Sequence, residues 1–520
     1  MTRVASLADV HAILSRNAVD RRDDVALVSP RGRLTTFGAL YDAVSAAATR
    51  LSAEGLRRGD AVVFSVRPSV EAIILILATI RAGGTIVAAD PGMGAELFAT
   101  RMAAVQPKFV MAESLLYALS SNRVARTLLR SRRLELPQVG RLAGCQFVRV
   151  GQWLPGTPPS IDAALLMRPL ARLGERPVRL HADDAVFIVF TSGTTADPRA
   201  VVHTARSIAA TLDASLLLSD LDAHAVVLTD QLHSALPALL AGARVVVPRI
   251  GARTADIARL LHRSHVTHAF AVPSDLHRLV TYCERHSLAL PDTLGELVLG
   301  AGPVERPLLA RLRSLLPSRT QVRSVYGLTE MAPVACVGMS EKLAWPGDGD
   351  LVGAPLPGAL VRLDKGGELY VAGDRLCGRY LGGEPLTEVA TGDLARFDDV
   401  GRIVLLGRSK EMIIRGHYNI YPTLYEEKIA EIPGVGRCAL IGLWDERRGD
   451  ERVVLVLEPA AGETNATRLR RRVEQALRVD ALIDRLALPD EVVVMPLTES
   501  GRAHKVDRDA LRHKLAENRP

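Results

Sequence analysis

Short apolar runs alternate with longer amphipathic stretches along most of the chain. "DAVVFSV" (60–66), "TIVAAD" (85–90), "FVRV" (147–150), "AVFIVF" (185–190), "AVVLTD" (225–230), "ARVVVP" (243–248), "THAFAVP" (267–273) and "ELVLGAG" (296–302) are short, mostly apolar runs. Such runs predict strands buried on both faces. Between them, "FGALYDAVSAAATRLSAEG" (37–55) and "TADIARLLHRSH" (254–265) carry apolar residues at helical spacing. The alternation predicts an α/β architecture of largely parallel sheets flanked by helices. Residues 135–182 are richer in Pro and Gly and read as a connecting excursion. After "GRIVLLGRSKEMIIRG" (401–416) the texture changes to strand, helix, strand, helix, a compact α+β unit. The expected boundary lies at Lys410, with a large N-terminal domain over 1–409 and a small C-terminal domain over 410–520.

Composition narrows this only a little. A chain of 520 residues exceeds what one hydrophobic core usually supports. No apolar stretch reaches the length of about 18 residues that a spanning helix needs. The best candidate, residues 72–89, is broken by Arg81 and a Gly pair. The N-terminus lacks the apolar core of a signal peptide, so a cytoplasmic enzyme is expected. Cysteines at 145, 283, 336, 377 and 438 have neither metal-ligand nor redox spacing. The net charge of +7 is spread along the chain and aromatics are 4%, so no nucleic-acid partner is expected. The basic run "RTLLRSRR" (126–133) reads as a solvated helix face.

Candidate chemistry begins at "FTSGTTADPRAVVHT" (190–204), where Thr191, Ser192, Thr194 and Thr195 surround Gly193 directly after a strand-like run. Hydroxyls and backbone N–H groups can ring a polyphosphate. Gly193 permits close backbone approach, and Arg199 can grip phosphate oxygens as a fork. Taken alone, the cluster reads equally well as a Ser/Thr-rich turn before a helix. Three further elements follow in order: "SVYGLTE" (324–330), "ATGDLARFDDVGRIVLLGRSK" (390–410) and "PLTESGRAHKVDRDAL" (496–511). An aromatic beside a tight turn can stack a base, a Thr can contact a phosphate, and a Glu can bind Mg²⁺ through oxygen. An Asp in a Gly turn can accept both hydroxyls of a ribose.

These elements resemble the adenylate-forming superfamily, which includes acyl-CoA synthetases, luciferases and the adenylation domains of peptide synthetases. "FTSGTTADPRAV" resembles its [YF]TSGTTGxPKGV loop, Tyr326–Glu330 its YGxTE motif, Thr391–Asp393 its TGD, and Gly407–Lys410 its GRxK hinge. "GELYVAGDRLCGRY" (367–380), "TTFGALYDAVSAAATRL" and "RAGGTIVAADP" resemble further family segments, so the likeness spans nearly the whole chain. It implies two half-reactions. A carboxylate attacks the α-phosphate of MgATP to give an acyl-adenylate and pyrophosphate. A nucleophile, usually the thiol of CoA or of a carrier-protein phosphopantetheine, then displaces AMP.

By the same resemblance, Thr191, Ser192, Gly193, Thr194, Thr195 and Arg199 would hold the β- and γ-phosphates. Gly300, Ala301 and Gly302 would lie along the adenine and Tyr326 would stack on it. Thr329 would contact the α-phosphate, Glu330 the Mg²⁺, and Asp393 and Arg408 the ribose. Lys505 would bridge the substrate carboxylate and α-phosphate. The small domain would turn about Lys410 between steps, withdrawing Lys505 and bringing in "RGHYNIYP" with Gly416 and His417 to shape a thiol tunnel.

The chain departs from the family at several positions. Ala196 and Ala200 replace glycines, Arg199 replaces a lysine, and His504 precedes Lys505 where Gly is usual. His417 stands where CoA ligases often have a second Gly; it reads either as an obstruction of the tunnel or as an exposed turn residue. In the acid-pocket segment 226–248, Asp230 lies near where amino-acid-activating members place an aspartate. His233 is open between a gate and the first turn of a helix. No long Met- or Phe-rich pocket signature is present, so a small or medium carboxylic acid is expected. The expected partner, if any, is a separate carrier protein. The alternative acceptors are an amine, an internal hydroxyl closing a β-lactone, or nitrite, and an amino-acid-activating enzyme stays open beside them.

Overall fold

The computed structural model describes residues 3–89, 95–122, 136–171, 177–190, 200–304, 306–347, 349–408, 412–416, 418–420, 422–460, 463, 465–479, 483, 485–497, 499–500 and 505–517. Its strands form an eight-stranded sheet, a thirteen-stranded sheet, and a three-stranded sheet near the C-terminus.

Several of the apolar runs become strands because side chains on both of their faces are buried. Val62, Val63, Val87, Val110 and Val186 are fully buried. Ala61–Ser65, Thr85–Ala88, Phe109–Glu113, Gln146–Val150 and Ala185–Phe190 lie in the eight-stranded sheet with parallel neighbours. The Pro- and Gly-rich excursion contributes Gln146–Val150 and Ile161–Asp162 to one edge of this sheet. The apolar helix Val70–Arg81 is buried on nearly every side, and the Ser69 hydroxyl caps it by accepting from the Ala72 N–H.

In the thirteen-stranded sheet, Val226–Leu228, Arg244–Val246, His268–Ala271, Glu296–Leu299 and Gln321–Leu328 continue the parallel pattern. From Met331 to Arg408 the same sheet is extended by antiparallel strands, which the alternation of strand and helix does not signal. This extension has one demanding close approach. Gly353 has φ +97°, and a Cβ on it would lie 1.9 Å from the Cys336 carbonyl oxygen of the neighbouring strand. Gly353→Ala is expected to cost more than about 3 kcal/mol, from steric overlap added to left-handed strain. A fall in the urea midpoint at unchanged m-value checks it.

The C-terminal unit differs from a plain strand–helix repeat. Val435–Asp445 and Asp450–Pro459 form a long antiparallel hairpin, and Glu491–Val494 joins it in parallel. Alternate residues of the hairpin serve two cores. Cys438, Leu440, Val453, Leu455 and Leu457 pack with Ile413, Ile420 and the helices Thr423–Ala430 and Ala466–Val479. Ala439, Ile441, Leu443, Val454 and Val456 pack with Val506 and the helix Arg508–Glu517. This period of two assigns the hairpin Ile413–Ile420 and the Lys505–Val506 strand to opposite faces of one sheet. No described helix is long and apolar enough to cross a membrane.

Candidate active site

The strand Gln321–Leu328 and its antiparallel partner Met331–Gly338 leave only Thr329 and Glu330 as the connecting turn, with Leu328 opposite Met331. The Tyr326 hydroxyl donates to Asp393 Oδ2 at 2.6 Å. Asp393 is 6% exposed, and its backbone N–H donates to the Thr391 hydroxyl at 3.0 Å. Thr391 in turn donates to the Leu369 carbonyl at 2.8 Å. Arg408 stands opposite Asp393 across the next strand pair. The TGD sequence therefore lies within the strand Val389–Phe397, where the Thr391 hydroxyl braces the backbone that delivers a buried carboxylate to the tyrosine.

Glu330 is half-buried and fixed by residues the sequence analysis did not single out. The Tyr380 hydroxyl donates to Glu330 Oε1 at 2.9 Å, and the Cys377 N–H donates to the Glu330 carbonyl at 2.8 Å. The strand Arg379–Tyr380 also pairs with Ala200–Thr204, Arg379 opposite Val202. His203 of that strand lies near the Thr329 backbone, and burial pushes its pKa down. Burial likewise raises the Cys377 thiol, to about 12. The Thr329–Glu330 turn is thus tied to the strand that leaves the Ser/Thr-rich loop. The "GRY" that ends the GELYVAGDRLCGRY segment was the available signal for Tyr380.

Thr191, Ser192, Gly193, Thr194, Thr195 and Arg199 lie outside the described residues, as do Ala196, Lys410, His417 and His504. The flanks of the loop are described: Phe190 pairs opposite Ala200, so residues 191–199 connect two antiparallel strands. Ala200 belongs to the strand and is 6% exposed within a hydrophobic cluster. Its methyl group fills core, so the Gly-to-Ala departure at this position acts on packing.

Gly300, Ala301 and Gly302 follow the strand Glu296–Leu299. Ala301 has φ +62°, a left-handed conformation uncommon for a residue with a Cβ. Such strain gathers at functional turns. A Cβ on Gly300 would meet the Val325 carbonyl oxygen at 3.4 Å and the Phe270 ring at 3.5 Å. Phe270 meets the His233 ring edge-on, centroids 4.6 Å apart. His233 is exposed at the start of the helix Leu232–Leu240. Desolvation by the surrounding protein lowers its pKa, partly opposed by the Asp230 charge, and keeps the ring neutral near pH 7. Asp230 itself is exposed and bonded to the Gln231 side chain at 2.9 Å.

The C-terminal unit reaches this place. A Cβ on Gly302 would lie 3.9 Å from the Gly416 carbonyl oxygen, and one on Gly416 would lie 4.0 Å from the Ser274 hydroxyl. Gly416 thus stands beside the Gly300–Gly302 turn, with its N–H held by Asp450 at 2.8 Å. Lys505 lies in a short strand on the other face of the small sheet.

Residues 14–381 match the AMP-binding enzyme family, and the chain belongs to it. It is an adenylate-forming ligase of α/β fold with a smaller C-terminal domain. An olefin beta-lactone synthetase of Xanthomonas campestris pv. campestris is 28% identical, over 92% of this chain and 91% of its own. Among solved structures, an o-succinylbenzoate CoA synthetase variant from Bacillus subtilis bound to a product analogue matches at TM-score 0.76 and 20% identity, over 96% and 98% of the two chains. That enzyme has also been solved with ATP and magnesium ion, matching at TM-score 0.63 and 19% identity over 96% and 99%. The amide bond synthetase McbA from Marinactinospora thermotolerans matches at TM-score 0.75 and 23% identity, over 96% and 99%.

Proposed function

We propose that this enzyme activates a small or medium carboxylic acid with MgATP and passes the acyl group to the thiol of CoA or of a carrier-protein phosphopantetheine. The reading rests most on one juxtaposition: the braced Tyr326–Asp393 pair shares a sheet with the Gly300–Gly302 turn, and Gly416 of the C-terminal unit lies against that turn. Tyr326 stacks on the adenine, Asp393 and Arg408 hold the ribose, and Gly300–Gly302 offers backbone close to the base. Thr191–Thr195 and Arg199 hold the β- and γ-phosphates, and Thr329 meets the α-phosphate.

The residues present fit a magnesium ion carried in with ATP. Mg²⁺ usually takes one or two carboxylates, with waters and phosphates completing its shell. Glu330 is such a carboxylate, oriented by Tyr380, and no denser cluster of ligands occurs among the described residues. The ion would supply charge neutralisation on the phosphates. In-line attack builds negative charge at the α-phosphate, which Lys505 stabilises. The boundary lies at Lys410, with 1–409 holding ATP and acid and 410–520 carrying Lys505. Ile413 and Ile420 pack on one face of the small sheet and Val506 on the other, so one rotation about Lys410 would exchange Gly416 and Lys505 at the site. His233 and Phe270, whose rings meet edge-on, would line the acid side and suit a modest acyl chain.

ATP–pyrophosphate exchange across a panel of acids tests the first step. Exchange with at least one small or medium acid is expected, and no exchange with any acid together with no ATP binding overturns the reading. A second reading, capture of the adenylate by an amine or an internal hydroxyl, is favoured by the relatives named for a β-lactone and an amide product. Rapid consumption of the adenylate by CoA or holo-carrier protein removes it. Slow thiol consumption beside fast β-lactone closure from a 3-hydroxy acid establishes it.

A further inference from the structure

The C-terminal unit also grips the large one away from the nucleotide and the acid. The turn after Asp445 brings Gly449, at φ +62°, onto the face of His277 in the helix Pro273–Arg285. A Cβ on Gly449 would lie 2.7 Å from both Cβ and Cγ of His277, so the fit admits only glycine. The His277 ring also lies near the Arg447 backbone of the same turn. The next residue, Asp450, accepts from the Gly416 N–H at 2.8 and 2.9 Å. One turn therefore reads the helix with one side and sets the Gly416 hairpin with the other.

We infer that the turn 445–450 and His277 form a docking latch specific to the acyl-transfer step. His277 and Gly449 are positioning residues. They hold the C-terminal unit where Gly416 stands over Gly302, and they part when the unit rotates to present Lys505. The inference rests on the two-step reading above, because a latch of this kind acts on one step only.

The test separates the steps. His277→Ala is expected to slow transfer from a preformed acyl-adenylate to the acceptor by about 10-fold or more, from the packing against Gly449 lost at the moment of docking. Pyrophosphate exchange should stay within about 2-fold of wild type, as for a contact absent from that transition state. His277→Gln, which keeps a Cγ to pack against Gly449, should recover most of the transfer rate. Unchanged transfer in His277→Ala, or an equal fall in both steps, overturns the latch. Should the wild type exchange with no acid, the adenylation reading fails and the latch is read from the distance between spin labels on Arg285→Cys and Arg471→Cys, two exposed positions on the two units. A distribution broadened by His277→Ala supports it, and an unchanged distribution overturns it.

Discussion

Lys505→Ala should lower adenylate formation by about 10²–10³-fold, the usual loss when one preorganised charge contact to a developing anion is removed. The side chain would touch the phosphate only while charge builds there, so kcat should fall far more than KM rises. Transfer from a supplied acyl-adenylate should stay within about 2-fold of wild type, as for a group absent from that step. The reason is geometric. Lys505 precedes Val506, which packs on one face of the three-stranded sheet, while Ile413 and Ile420 pack the Gly416 hairpin on the other. With Gly416 beside Gly302, that face is turned toward the site. Lys505→Arg keeps charge but changes its reach and shape, and partial recovery is expected. Pyrophosphate exchange and single-turnover transfer, measured on the same preparations, check both halves. An equal loss in both would show that the two faces do not alternate.

Much of this was legible in the sequence because periodicity and buried apolar runs carry their own address. The run 185–190 became the strand Ala185–Phe190, and 254–265 contains the helix Thr254–Arg263. The antiparallel extension was not legible. Its strands, such as Ala359–Leu363, mix exposed and half-buried positions and so lack the continuous apolar signature of a parallel strand. The motifs at 326–330 and 391–393 could be quoted, but motif order says nothing of who holds whom. That Tyr326 bonds Asp393 is a contact between residues 67 apart. Tyr380 was hidden for the same reason: its partner, Glu330, is 50 residues away. Ala200 shows the reverse error of reading a motif as all loop. The pattern places it in a loop, whereas its pairing with Phe190 places it in a strand. Asp230 is read from its position alone, and its bond to the neighbouring Gln231 at the surface is not written in that position.

Asp393→Ala is expected to raise KM for ATP by about 10²-fold or more, because two contacts fail together. Charge-assisted hydrogen bonds are worth about 1.5–3 kcal/mol each, and about 1.4 kcal/mol is a factor of ten in binding. The first contact is to the ribose hydroxyls, which a buried carboxylate braced by Thr391 is placed to accept. The second is internal: Asp393 Oδ2 takes the Tyr326 hydroxyl at 2.6 Å and fixes the plane of the ring proposed to stack on adenine. Tyr326→Phe separates the two, since it keeps the ring and removes the hydroxyl. It should cost only about 10-fold, the worth of one such bond. The double variant should be no worse than Asp393→Ala by more than about 2-fold if the hydroxyl acts only through Asp393, because contacts that share a partner are not additive. Asp393→Asn retains an oxygen for the tyrosine but offers the ribose one acceptor in place of two. It should therefore fall between the single variants. Isothermal titration with ATP, alongside the exchange assay, checks the order. An Asp393→Ala enzyme that binds ATP like wild type would remove the ribose role and leave the Tyr326–Asp393 bond as a purely structural brace.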